Sequence, residues 1–154
     1  MNTYSKSSEK NLSTAHPDLQ VLFHEVLKYF DHAITYGHRS SQLQFDLYKK
    51  GRVWNGVSWI VKDRSKIVTN CDGITKKSKH NNLPSEAVDA VPYPIDWGDT
   101  ERLYYFAGFV KATAFSLFDQ GKITHLIRWG GDWDDDTEIK DEVFRDGYHF
   151  EIIL

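Results

Sequence analysis

The chain has 154 residues, 40% of them hydrophobic and 27% charged, the balance of one globular domain large enough to bury a core. A formal net charge of −3 makes no electrostatic case for nucleic acid, and no apolar run approaches the ~18 residues of a membrane span. The single cysteine, Cys71, excludes an internal disulfide and fits a reducing compartment, while aromatics at 14% imply rings in the core or along a groove.

In chain order, Met1 to Ser13 is Ser/Lys/Asn-rich and reads as a loose N-terminal arm. The first fifteen residues lack the apolar core of a secretory signal, so a protein that starts in the cytoplasm is expected. Leu19, Leu22, Phe23, Val26, Leu27 and Phe30 then recur at helical spacing behind Pro17-Asp18, both favoured in a first turn. Ile34 and Tyr36 alternate as a short strand, and Ser40 or Ser41 caps a helix through Tyr48 that Gly51 stops. Arg52 to Asn70 reads as loop and strand, Asp72-Gly73 as a turn, and Ala87 to Val91 as a strand. A capped loop, Asp96 to Thr100, leads into a long amphipathic helix marked by Leu103, Phe106, Val110, Ala114 and Leu117 and stopped at Gly121. Ile123 to Ile127 is an expected strand, Trp129 to Asp136 an irregular loop, and His149 to Leu154 a last strand. Helices and strands mix without regular βαβ alternation, which points to an α+β fold in one domain, 1–154, with no linker or second domain.

The chemistry concentrates between Ser78 and Pro94. His80 and Asp89 flank a Pro-containing turn, and an imidazole with a carboxylate is two-thirds of a catalytic zinc site, which needs three protein ligands and one open position. The tail Asp146-Gly-Tyr-His149 offers a third ligand in His149 and, three residues earlier, a carboxylate able to move protons for an attacking water. Spacing alone does not choose between this site and ordinary surface residues, because His and Asp are common there. Arg39, with Gln44 five residues on, is either a surface Arg or a guanidinium for a substrate carboxylate or a developing oxyanion. His24-Glu25 begins the metalloprotease helix motif, but Lys28 stands where its second His belongs. His16, His32, His38 and His125 have no ligand-like partner at useful spacing. Asp132, Asp134 and Asp136 alternate like half a calcium loop, yet Thr137 and Val143 replace its Gly and closing Glu; a solvated loop is the stronger reading and weak calcium binding the lesser one. Cys71 reads as a small buried residue.

Most of the chain, from His16 onward, resembles the zinc-dependent L-alanyl-D-glutamate endopeptidases of phages, relatives of the D-Ala-D-Ala carboxypeptidases. The segments that carry the likeness are His16-Pro-Asp-Leu, Gly37-His-Arg-Ser, Val68-Thr-Asn, Ser78-Lys-His-Asn, Pro84-Ser-Glu-Ala-Val-Asp, Pro92-Tyr-Pro, Arg128-Trp-Gly-Gly-Asp-Trp and Asp146-x-x-His-Phe-Glu. The resemblance implies an antiparallel sheet flanked by helices, as in Hedgehog and D,D-peptidase domains. It implies one zinc held by His80, Asp89 and His149, with Asp146 as catalytic base and Arg39 in the active site. Ser78 and Gln44 are carried over as substrate contacts. Gly147-Tyr148 departs from the family's usual apolar residue and Pro. The implied activity is hydrolysis of the L-Ala–D-Glu bond of peptidoglycan stem peptides by a monomer during lysis, with no nucleic acid or membrane partner, cytoplasmic until a membrane lesion releases it. The alternatives are a D,D- or L,D-carboxypeptidase on the same scaffold, or a non-catalytic wall-binding module.

Overall fold

Strand β4 (Ala87–Pro92) is buried at every position and lies at the centre of the fold. The computed structural model describes residues 1–153, so the expected strand end at Leu154 lies outside the described residues. β4 pairs antiparallel with β1 (His32–Tyr36) on one side and with β6 (His149–Ile153) on the other, and β5 (Leu126–Trp129) completes a four-stranded sheet in the order β1-β4-β6-β5. Paired on both edges and buried at every position, β4 does not alternate apolar with polar residues as a half-exposed strand would, which accounts for the run Ala-Val-Asp-Ala-Val.

Two amphipathic helices supply the cover. α2 (Pro17–Leu27) buries Leu19, Leu22, Phe23, Val26 and Leu27 of the predicted face, while Phe30, also expected on it, lies past the helix end and packs partly buried against the core. α4 (Thr100–Asp119) buries Leu103, Phe106, Ala107, Val110, Ala114 and Leu117, capped by Asp99, whose side chain accepts from the Arg102 N–H at 3.0 Å. Phe23, Phe106 and Phe150 interlock edge-to-face between helices and sheet. α3 (Ser41–Tyr48) and the hairpin β2 (Arg52–Trp54)–β3 (Trp59–Val61) lie outside the main sheet.

Two expectations differ from the structure. The supposed loose arm contains a helix, α1 (Lys6–Leu12), capped by Ser5 and burying Leu12 completely. Its polar residues are not idle: Asn11 donates to the Ile34 and Thr35 carbonyls at 2.9 and 3.0 Å, and the Ser8 hydroxyl accepts from the Ile34 N–H at 3.1 Å. These contacts cover the edge of β1, which a polar-rich sequence does not announce. The strand expected at Ile123–Ile127 begins three residues later, at Leu126. The Thr124 and His125 N–H groups are taken by the Asp18 carboxylate, at 2.9 and 3.0 Å, and so are not free for a ladder.

Candidate active site

Asp89 on β4 and His149 on β6 are directly opposed across the antiparallel pair, so backbone register alone brings carboxylate and imidazole together. His80 arrives from a 3₁₀ turn, Lys79–Asn81, whose cap is Ser78. That turn is fastened to the β1–α3 corner: the Arg39 N–H donates to the His80 carbonyl at 2.8 Å, and Asn81 Nδ2 donates to the Arg39 carbonyl at 3.0 Å. Gly37 permits the corner to sit close, since a Cβ there would lie 2.2 Å from the Asn11 carbonyl oxygen. All three side chains are buried.

Their donor atoms form a nearly equilateral triangle. His80 Nε2 lies 3.1 Å from His149 Nδ1 and 3.1 Å from Asp89 Oδ1, and the last two are 3.3 Å apart. Tetrahedral ligands at the ~2.0–2.1 Å bonds of zinc are about 3.3 Å apart, so the triangle has the size of one face of such a site. The protonation pattern agrees. His80 Nδ1 contacts the Gly37 carbonyl at 2.7 Å and, since a carbonyl only accepts, Nδ1 carries the hydrogen. His149 Nε2 likewise donates to Glu151 Oε2 at 2.9 Å. In the neutral rings Nε2 of His80 and Nδ1 of His149 therefore point lone pairs at each other and at a carboxylate. Such a cluster calls for a positive charge between its members, a metal ion or a proton.

The electrostatics say the same. Burial disfavours a charged His149, but hydrogen bonds to Asp89 and Glu151 outweigh it and push the imidazole up to about 9. Burial depresses His80. Asp89 stays well below the usual carboxylate range, burial being outweighed by His80 and Arg39. Arg39 pairs with Asp89 Oδ2, which leaves Oδ1 for the imidazoles, and its guanidinium rests 4.3 Å from the Tyr36 ring centroid. Arg39 Nε is buried and has no hydrogen-bond partner among the described residues.

Asp146 is aimed by a glycine. Its N–H donates to the Gly130 carbonyl at 2.6 Å, and a Cβ on Gly130 would stand 2.5 Å from the Asp146 carbonyl oxygen. Burial, then the charge of Asp89, raises its carboxyl to about 6, where proton transfer near neutral pH works in either direction. Asp146, Arg39, Ser78 and the three donors line one groove of about 1170 Å³, with Trp97, Trp133 and Tyr148 on its walls.

Sequence reasoning passed over Glu151. It is 5% exposed, holds His149 with one oxygen and accepts from Arg128 Nη2 at 2.5 Å with the other; burial opposes its charge, but those two partners lower it to about 2. The available signal was the i, i+2 spacing from His149 on a strand, which puts both side chains on one face. Other expected positions changed role. Gln44 is not at the groove: it is fully buried and donates to Thr69 Oγ1 at 3.1 Å and the Cys71 carbonyl at 3.0 Å, while its oxygen faces Arg39 at 3.4 Å. It braces Arg39 from behind. Ser78 lines the groove, yet its hydroxyl is used in capping the turn that carries His80. Cys71 is partly exposed at the groove instead of buried in the core.

Two further groups of potential ligands come together. His16, Asp18 and His125 do meet, contrary to their unpromising spacing. Asp18 Oδ2 is already occupied there, accepting from the Thr124 and His125 N–H groups, the Thr124 hydroxyl and, at 2.7 Å, His125 Nδ1. That cluster ties α2 to the approach to β5. Asp132, Asp134 and Asp136 also converge, and Thr137 takes φ +79°, the left-handed turn that a calcium loop gives to Gly. Asp132 spends its oxygens on the Asp136 and Thr137 N–H groups, each at 3.1 Å.

A donor triangle beside a carboxyl poised near neutrality, set in an open groove, is the equipment of a hydrolase. A family model described as phage L-alanyl-D-glutamate peptidase matches residues 1–153, and the chain belongs to that family. It is 30% identical over 157 residues to an L-alanyl-D-glutamate peptidase of Escherichia phage T5, with 97% of each chain covered. Among solved structures it resembles the Serratia marcescens L-Ala D-Glu endopeptidase ChiX at TM-score 0.63 and 23% identity, covering 97% of this chain and 89% of that one. The α+β architecture and the assignment as a peptidase follow.

Proposed function

We propose that this peptidase is a zinc enzyme that hydrolyses the L-Ala–D-Glu bond of peptidoglycan stem peptides. The observation that carries the reading is the lone-pair triangle of His80, Asp89 and His149 with Asp146 beside it. Two imidazoles and one carboxylate are a zinc donor set, and they would hold the ion. Zinc, when bound, polarises the scissile carbonyl and acidifies water.

The chain's own residues supply the rest. Asp146, ionised, takes the proton of the water that adds to the alanyl carbonyl carbon. It then delivers that proton to the departing glutamyl nitrogen, so that one C–O bond forms as the C–N bond breaks. Arg39 orients Asp89 and lines the groove beside it. Ser78 contributes by holding His80 in place. Trp97, Trp133 and Tyr148 form walls of the groove along which the stem peptide would lie.

Among the described residues no helix is long and apolar enough to cross a membrane. The family's setting supports action on the cell wall at lysis, by a monomer released from the host cytoplasm. Weak calcium binding at Asp132, Asp134 and Asp136 is the subordinate reading of that loop.

Digestion of purified muropeptides, with the products weighed, tests the bond. Cleavage between L-Ala and D-Glu is expected; free D-Ala with that bond intact would replace the proposal by a carboxypeptidase. Metal analysis tests the ion: about one zinc per chain is expected, lost in His80→Ala and His149→Ala. A metal-free protein whose activity ignores chelators would end the zinc reading.

A further inference from the structure

The hairpin β2–β3 buries neither of its faces. Trp54 is 54% exposed and Val57, at the turn, 84%, while Val53, Ile60 and Val61 are exposed beside them. The hairpin's anchors to the rest of the chain are Trp59, whose ring lies 5.9 Å from that of Phe45 on α3, and Arg52, whose guanidinium stacks 4.0 Å from the Tyr48 ring centroid. An isolated two-stranded hairpin gains little stability in water, and a contiguous apolar tip on a soluble chain marks a contact surface.

The flanks of the hairpin are cationic. Lys49, Lys50, Arg52, Lys62, Arg64 and Lys66 lie within eighteen residues that contain one acid, Asp63, in a chain of net charge −3. Several are spoken for: Lys49 pairs with Asp46 at 2.7 Å, Lys66 with Asp63 at 3.3 Å, and Arg52 donates to the Tyr48 carbonyl at 2.6 Å. Lys62 and Arg64, at the base of β3, enter no ion pair among the described residues. The hairpin thus presents an apolar tip above a basic collar. With three residues per strand at ~3.4 Å each, tip and collar are about 10 Å apart. That matches the depth of ~5–10 Å to which amphipathic elements sink below lipid headgroups.

We propose that this hairpin is a docking element for an anionic phospholipid bilayer. Trp54, Val57 and Ile60 enter the interface while Lys62 and Arg64 meet headgroup phosphates. This departs from the expectation of no membrane partner. The aliphatic residues of the hairpin, Val53, Val57, Ile60 and Val61, favour lipid over a glycan strand. Valines and isoleucines neither stack on sugar rings nor bond their hydroxyls, and the tip's amide oxygen is consumed within the turn, where Asn55 Oδ1 accepts from the Val57 and Ser58 N–H groups at 2.9 and 2.8 Å.

The test is partition of the full-length protein onto vesicles of phosphatidylcholine with and without 30% phosphatidylglycerol, read by co-sedimentation and the blue shift of tryptophan emission. Binding is expected only with the anionic lipid, weakening as salt rises. In a Trp54→Ser, Val57→Ser, Ile60→Ser triple variant the affinity should fall at least about tenfold, and in Lys62→Glu, Arg64→Glu the dependence on anionic lipid should vanish. Soluble muropeptide hydrolysis should be unchanged in both variants, which also shows that they fold. No partition of the wild type at low salt, or equal partition of wild type and variants, overturns the proposal. So does loss of retention on purified sacculi with vesicle binding intact, which would assign the hairpin to the glycan.

Discussion

Removing the Glu151 carboxylate should loosen metal binding without unfolding the sheet. In Glu151→Ala the His149 Nε2–H loses its 2.9 Å acceptor in a buried position, and the ring loses what fixes Nδ1 toward His80 and Asp89. A hydrogen bond to a charged group contributes ~1.5–3 kcal/mol, which converts to about 10–100-fold in affinity. The same range describes outer partners of metal-bound histidines generally. Arg128, also left without its carboxylate, has a side chain 30% exposed and keeps the Trp133 carbonyl at 2.9 Å, so water softens that loss. Competition against a chromophoric zinc chelator measures the affinity, and long-range ¹H–¹⁵N NMR of the imidazole reports which nitrogen carries the hydrogen. Glu151→Gln, whose amide oxygen can still accept from Nε2–H, should fall between wild type and Ala. An alanine variant within about threefold of wild type, or Gln and Ala equally weak, would refute the reasoning.

Asp146→Asn should lower turnover by ~10²–10⁴-fold with zinc content and melting temperature retained; a mild loss would remove Asp146 from proton transfer. The base works ionised, so wild-type activity should be lost as pH falls through about 6, or lower where a bound cation stabilises the carboxylate, with zinc analysed at each pH to separate this from ligand protonation. His32 is 3% exposed and burial lowers it to about 4, so from pH 6.5 downward the unfolded chain binds a proton that the folded one refuses. Stability should fall by about 3 kcal/mol between pH 6.5 and 4, and urea titrations of His32→Gln should show a smaller fall; equal falls would clear His32. Leu12→Ala should cost ~2–5 kcal/mol in the same titration, whereas a loose arm would make it neutral.

Much of the scaffold was legible because periodicity reports burial directly. The apolar faces of α2 and α4 and the unbroken apolar run of β4 are patterns set by helix and strand geometry, and they fell where expected. α1 was hidden because its job is hydrogen bonding: Ser8 and Asn11 satisfy an edge strand, and polar residues that serve backbone look like polar residues that serve water. The start of β5 was misplaced for a related reason, since Asp18, over a hundred positions upstream, takes its N–H groups.

At the site, residue types and the family's pattern of motifs are enough to nominate His80, Asp89, His149 and Asp146, because few side chains can hold zinc or carry a proton at neutral pH. Roles that depend on direction were decided only by the tertiary structure. Which nitrogen of each imidazole faces inward is settled by Gly37 and Glu151. Gln44 faces inward as a brace, and Arg39 spends its charge on Asp89 before any substrate arrives. A sequence names the donors; the lone pairs are aimed by neighbours far away in the chain.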